Sequence, residues 1–379
     1  MRSYKIQYLS VSTLPSSSAN SIQVVRMCEA FTRTGAPARL HAFAPKAERR
    51  AAAAELAEYY GGGGGFDLAL YRKSRLGNWL MALSAVRSGT SVIYGRNLIA
   101  SARAAGLGRP VAVEVHHPFA PTRVEHALLD RLSRMPNCLG LVAISHALKD
   151  RLVHDHPDFD GRVLVAPDAA DVMPAQASDE SGRRQGFHVG YVGSLYAGKG
   201  FLRIVAIAQA MPWATFHVVG EIEQLRKRGI DVGDLPRNLT LHGHQPPKAM
   251  ARILNAFDVV LAPYRREVKP HSALDVAPWM SPLKLFEYMA ARKPIVASDL
   301  PVIREVVAHG ETAWLSSPDD DDAWVQALTR LHAEPEMAQK LASNAYALWQ
   351  RHYTWDARAA AIRDWLDRRL AESGQLAGG

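Results

Sequence analysis

A lysine and a glutamate three residues apart, Lys284 and Glu287, interrupt the otherwise apolar run Ser281-Pro282-Leu283-Lys284-Leu285-Phe286-Glu287-Tyr288-Met289-Ala290-Ala291. Ser281 suits an N-cap and Pro282 a first helical position, so the run predicts a helix whose opening N–H groups lack partners. Such an end carries roughly half a positive charge and favours a phosphate. Leu283, Leu285, Phe286 and Met289 bury most of the circumference, while Lys284 and Glu287 share one face. A charged pair beside an anion-ready end suits a ligand site. An exposed ion pair on a packing helix fits the same spacing equally well.

A second set of groups follows the apolar run His188-Val189-Gly190-Tyr191-Val192. There Gly193-Ser194-Leu195-Tyr196-Ala197-Gly198-Lys199-Gly200 makes a strand, glycine loop and helix start, an arrangement that cradles phosphate. It comes close to the magnesium-nucleotide loop G-x-x-x-x-G-K-[ST], but Gly200 stands where the metal-holding hydroxyl belongs. Phosphate binding by Lys199 without a magnesium anchor is the reading, with a solvated turn lysine as the plain alternative. His116 and His117 close the apolar run 111–115 at the carboxyl end of an expected strand, where α/β proteins place ligands. A lone histidine there is more often structural, and the register between the two histidines is open. Asp319 to Asp322 contains Asp-x-Asp, a metal motif elsewhere. Flanked by Ser-Ser-Pro and Ala-Trp-Val, it reads as an acid-rich first helical turn. His242-x-His244 lacks a third ligand and is discounted as a metal site.

These stretches resemble retaining glycosyltransferases of the two-Rossmann-domain (GT-B) type, family four, bacterial members. The likeness is strongest from Gly190 onward. It implies that Glu287 holds the ribose of a nucleotide sugar, that the helix start at Ser281, Pro282, Leu283 and Lys284 faces the diphosphate, and that Lys199, with Gly193 and Ser194, grips it. His116 corresponds to an active-site histidine near the donor sugar. The phrase from Ala19 to Phe31 is similar to the family's opening loop and helix, which puts Asn20, Arg96 and His117 on the acceptor or sugar side. Catalytic weight falls on His116, Lys199 and Glu287. Three positions depart from the pattern: Trp279 replaces a glutamate, Arg292 a helix-ending glycine, and Ser194 a basic residue. If Arg292 must be left-handed, the cost is about 1 kcal/mol.

Short apolar runs at 5–10, 38–43, 67–71, 91–94, 111–115 and 140–144 alternate with helix-length segments, the pattern of parallel sheets covered on both faces. The expected fold is therefore α/β, with two Rossmann-like domains. Residues 1–178 form an acceptor-side domain and 179–352 a nucleotide-sugar-binding domain. The last helix, within 353–379, returns to the first domain, and the resemblance implies a central cleft. The chain has 379 residues, a net charge of +8 and two cysteines, Cys28 and Cys138, which read as buried thiols. A pI near 9.5 points to a polyanionic partner. The basic residues are scattered without interleaved aromatics, which argues against nucleic acid. Five glycines from Gly61 to Gly65 precede Arg72, Lys73, Arg75, Trp79 and Leu80. That order suits a membrane surface, although a core helix with a solvated start is the plainer reading.

The expected activity is glycosyl transfer from a UDP- or GDP-sugar to a glycan or lipid-linked hydroxyl acceptor in bacterial surface glycan synthesis. No cofactor or metal is expected. The protein is expected in the cytoplasm with peripheral contact on the inner face of the membrane. The N-terminus is too short and polar for a signal peptide, and no apolar run spans a membrane. A sugar-nucleotide epimerase of the same fold and a non-enzymatic basic binding protein are the alternatives.

Overall fold

The computed structural model describes residues 4–16, 18–50, 53–89, 91–120, 123–173, 185–246, 249–269 and 275–374. The chain divides into two compact units: Met1–Asp168 with Trp355–Gly379, and Ala169–Thr354. The division falls after Asp168, and residues 174–184, which contain the expected boundary at 178, lie outside the described residues.

Unit 1 runs β1 (Lys5–Thr13), α1 (Ala19–Arg33), β2 (Ala38–Phe43), α2 (Ala53–Tyr59), β3 (Asp67–Tyr71), α3 (Arg75–Val86), β4 (Ser91–Gly95), α4 (Leu98–Gly106), β5 (Val111–Val115), α5 (Val124–Ser133), β6 (Cys138–Ala143), α6 (His146–Asp155) and β7 (Val163–Val165). Its strands form one sheet in the order β3-β2-β1-β4-β5-β6-β7, parallel at every pairing. β4, β5 and β6 are buried at every position, as continuous apolar runs covered on both faces require. Both cysteines are buried free thiols. The glycine run is not slack: a Cβ on Gly62 would stand 2.1 Å from the Glu29 carboxylate, and Gly64 N–H donates to that carboxylate at 2.9 Å.

Unit 2 runs β8 (Phe187–Val192), α7 (Phe201–Ala210), β9 (Ala214–Val219), α8 (Glu223–Arg226), β10 (Leu239–Leu241), α9 (Met250–Asn255), β11 (Val259–Ala262), α10 (Leu283–Ala290), β12 (Ile295–Ser298), α11 (Pro301–Arg304), β13 (Trp314–Ser316), α12 (Asp321–Ala333) and α13 (Pro335–His352). Its parallel sheet has the order β10-β9-β8-β11-β12-β13. The final helix α14 (Trp355–Glu372) belongs to unit 1. It buries Trp355, Ala359, Ile362, Trp365 and Leu366, a helical stripe, and packs beside α1. Among the described residues no helix is long and apolar enough to cross a membrane.

In each unit the strand order reverses once, between β1 and β4 and between β8 and β11. The loops leaving strands at such a reversal diverge and open a crevice, which is where ligands bind in open α/β sheets. The sites below sit there.

Candidate nucleotide-sugar site

In unit 2 the chain leaves β8 through Gly193, whose φ of +146° only glycine adopts readily. The space where its side chain would be is taken by Lys284, whose Cε and Nζ lie 3.2 Å from a Cβ built there. Lys284 is buried in the first turn of α10. Its ammonium stands 3.7 Å from the centre of the Tyr191 ring and 5.1 Å from that of Tyr264. Among the described residues it has no hydrogen-bond partner. Lys199 points to the same place: its Nζ is 4.6 Å from the Tyr264 ring centre and 5.1 Å from that of Tyr196. Two amines thus share an aromatic cage, where ring faces attract each charge by about 2 kcal/mol when desolvated. That attraction does not replace lost water. Burial, reinforced by the nearby Lys199 and opposed by Glu287, pushes Lys284 well below the ordinary lysine range. Burial brings Lys199 down to about 8.

The cage is held by the fold. The Tyr288 hydroxyl accepts from Val192 N–H at 2.9 Å, which pins α10 to the end of β8. Tyr191 donates to the Ser194 carbonyl at 2.6 Å and closes the loop under Lys199. Gly198 and Gly200 have φ of +88° and +84°, and a Cβ on them would meet the Glu267 and Pro263 carbonyl oxygens at 2.2 and 1.8 Å. No serine or threonine fits at Gly200, so the missing magnesium hydroxyl follows from how this loop packs.

Glu287, one turn after Lys284, is exposed. Desolvation raises its carboxyl to about 7, with Lys284 lowering and Asp171 raising it. Water reaching the exposed carboxylate screens that push. Ser281 and Pro282 depart from their expected roles. The helix begins at Leu283, Pro282 is the boundary residue with ψ of 75°, and no side chain caps the end. Leu283 N–H donates instead to the Ser281 carbonyl at 3.0 Å and Leu285 N–H to that of Pro282 at 2.8 Å, so a tight turn uses groups expected to face an anion. Ser194 lies in the loop with its side chain exposed. Arg292 is left-handed, with φ of 53°. Its guanidinium stacks 3.9 Å above the Tyr346 ring, which offsets the strain of the missing glycine. Asp320 caps α12 through Ala323 N–H at 3.1 Å, Asp321 pairs with Arg203 and Asp319 with Arg266, as a helix start should. His242 bonds His217 at 3.0 Å across β9 and β10.

In unit 1, His116 follows β5 and its Nε2 lies 2.6 Å from a Glu114 oxygen; His117 is exposed beside Pro118. Glu114 is fully enclosed. It receives Gln23 at 2.5 Å, the Tyr8 and Tyr94 hydroxyls at 3.1 and 2.6 Å, and Arg358 of α14 at 3.0 Å. Burial opposes its charge, but Arg358, His116 and Arg96 outweigh that and hold its carboxyl well below the usual range. His116 is lowered by burial and then by Arg96, against an opposing pull from Glu114, and the net shift favours the neutral imidazole. Arg96 reaches the same network through Gln23. Asn20 is the second residue of α1, inside the helix rather than on the loop before it. Glu114, His116 and Asp168 approach closely enough to share a cation, yet Arg358 already sets its positive charge against Glu114.

The cage tyrosines, Glu114, Gln23 and Arg358 escape the sequence reading. Two signals were present: a carboxylate in the middle of Val111-Ala112-Val113-Glu114-Val115, and an arginine on the apolar stripe of α14 between Trp355 and Ile362.

Two parallel-sheet α/β units of this kind define the GT-B fold of glycosyltransferases. Residues 186–334, most of unit 2, match the family described as Glycosyl transferases group 1. The amylovoran biosynthesis glycosyltransferase AmsK of Erwinia amylovora is 31% identical over 112 residues, which is 30% of this chain and 26% of that relative's length. The solved structure of Anabaena Alr3699/HepE in complex with UDP superposes with a TM-score of 0.69 at 18% identity, covering 96% of this chain and all of that one. A glycosyltransferase from Rickettsia africae superposes with a TM-score of 0.74 at 11% identity, covering 98% and 99%. At those identities the likeness establishes the fold.

Proposed function

We propose that the chain transfers a glycosyl group from a UDP-sugar to a hydroxyl of a growing, membrane-borne glycan, with retention of configuration and without a metal ion, as a bacterial family-four enzyme. The observation that carries the reading is the pair of lysine amines in the tyrosine cage, one buried and one half-buried: amines that lose water and hold no acid among the described residues make a site suited to an anion supplied from outside. A diphosphate would satisfy both amines. When the bond to the sugar breaks, negative charge grows on that diphosphate, and preorganised cations stabilise the developing charge more than the ground state. Glu287 is assigned to the ribose hydroxyls and His116 to the chemistry of the transferred sugar. Gly193 and Gly198 let the chain approach the phosphates closely. UDP is favoured over GDP by the HepE structures with UDP and with UDP-glucose, which share this fold. Polysaccharide assembly is favoured by the role of AmsK.

The test is donor binding and turnover by Lys199→Ala and Glu287→Gln. Each removes a charge-assisted hydrogen bond worth about 1.5–3 kcal/mol, so UDP-glucose affinity or donor kcat/KM should fall about ten- to a hundred-fold. Thermal unfolding of the unliganded variants should stay close to the parent. Wild-type turnover in both variants at limiting donor refutes the site. Restoration of chelator-treated enzyme only by added manganese or magnesium refutes metal independence.

A further inference from the structure

The outer face of unit 1 carries a surface that the donor site does not use. α3 buries Met81, Ala82 and Ala85 against the sheet, but its opposite stripe is bare. Leu76, Trp79 and Leu80, together with Leu107 after α4 and Val124 at the start of α5, are between 46 and 69% exposed. Single exposed apolar residues are ordinary, but a contiguous set of them is not. Arg75, Trp79, Arg103, Leu107, Val124 and Arg131 line one groove of about 770 Å³ formed by α3, α4 and α5. One acid, Glu125, also lines it. Among the described residues none of Arg75, Arg103 and Arg131 is held in an ion pair, and Arg72 and Lys73 stand exposed just before α3.

We propose that this groove docks the protein on an anionic lipid surface, with Trp79, Leu107 and Val124 entering the headgroup boundary and the three arginines binding lipid phosphates. Charge complementarity selects that occupant. A protein partner of like composition would leave three desolvated guanidiniums unpaired, whereas an anionic bilayer supplies phosphate to each and apolar depth to the tryptophan. This names the partner surface of the proposed transferase and rests on that reading only for its purpose. Vesicle binding is read without donor or acceptor, so either idea can fail alone.

The full chain is sedimented with vesicles of phosphatidylcholine alone or with added phosphatidylglycerol, at low and high salt. Binding should need the anionic lipid and fade as salt screens it. Each arginine near the surface strengthens partitioning about five-fold, so Arg75→Gln, Arg103→Gln and Arg131→Gln together should weaken it about a hundred-fold. Trp79→Ser, at an exposed position, should weaken it while leaving UDP-glucose affinity unchanged. Equal sedimentation with neutral and anionic vesicles overturns the proposal, as does binding indifferent to all four substitutions. A Trp79-dependent dimer in solution that ignores vesicles overturns it too, and assigns the face to a second copy of the chain.

Discussion

Donor binding should draw protons from solvent, and its strength should fall as pH rises from 7 to 9. The perturbation is pH alone, and the groups are Lys199, brought down to about 8 by burial, and Lys284, held well below the ordinary lysine range by burial and by Lys199. A diphosphate seated between the amines favours their charged forms and raises both values in the complex. With only Lys199 counted, the unliganded enzyme is about nine-tenths protonated at pH 7 and one-tenth at pH 9, a loss in affinity of about ten-fold. Up to about one proton should therefore be taken up by Lys199 per donor bound between pH 7 and 9. UDP-glucose is the right probe because its diphosphate does not titrate in this range. Calorimetry in buffers of different ionisation enthalpy reads the uptake directly. The unliganded fold should behave oppositely. A lysine whose folded value lies below its ordinary 10.5 makes the folded state bind fewer protons than the unfolded chain between about 8 and 10.5. Stability therefore rises through that window, by at most roughly 3 kcal/mol and less to the extent that water reaches the half-buried amine. Affinity that is flat from pH 7 to 9, with no buffer dependence of the binding heat, would refute the cage as the diphosphate site.

Arg292→Ala should destabilise unit 2 by roughly 1 kcal/mol, because it keeps the left-handed strain and loses the stack on Tyr346, whereas Arg292→Gly should be near neutral; denaturant midpoints separate the two. Gly200→Ser, which restores the hydroxyl of a magnesium-binding phosphate loop, should lower the melting temperature and confer no magnesium dependence, since its Cβ would stand 1.8 Å from the Pro263 carbonyl. Glu114→Gln should cost about 3–5 kcal/mol by leaving the Arg358 charge buried and unpaired, with unfolding of unit 1 as the readout.

The parts of this molecule legible in the sequence are those fixed locally. Strands 38–43, 67–71 and 111–115 match β2, β3 and β5, because short stretches rich in apolar residues and bounded by polar turns read as strands even where single polar residues interrupt them. Ser145 caps α6 through Leu148 N–H, as a serine entering a helix should. The helix start at Ser281 misled because its dihedral angles depend on how the preceding 275–280 turn enters, not on the propensity of Ser-Pro. Residues before that turn fall outside the described residues. The stripe of α3 leaves a membrane face and a core helix both open in the sequence, since periodicity shows that a helix has an apolar face, not whether another element covers it. Glu114 and Arg358 lie 244 residues apart, a distance no spacing rule bridges.

The tyrosine cage explains how a site can wait for an anion without collapsing. Two like charges placed side by side in a dry pocket would repel and drive the chain to open or the amines to shed protons. A carboxylate partner would cure that, but it would also compete with the donor for the same amines. Tyr191, Tyr196 and Tyr264 give a weaker remedy: their faces hold the ammonium groups in place and provide no acceptor that a phosphate would have to displace. Each hydroxyl is pushed up by burial, so none ionises to become a rival anion near neutral pH. Glu287, the nearby acid, is held off by its position on the exposed side of α10, where it tempers Lys284 without bonding it. On the proposed reading, the unmet demand of the two amines would be met only when a diphosphate arrives, and most fully as its charge increases when the sugar departs.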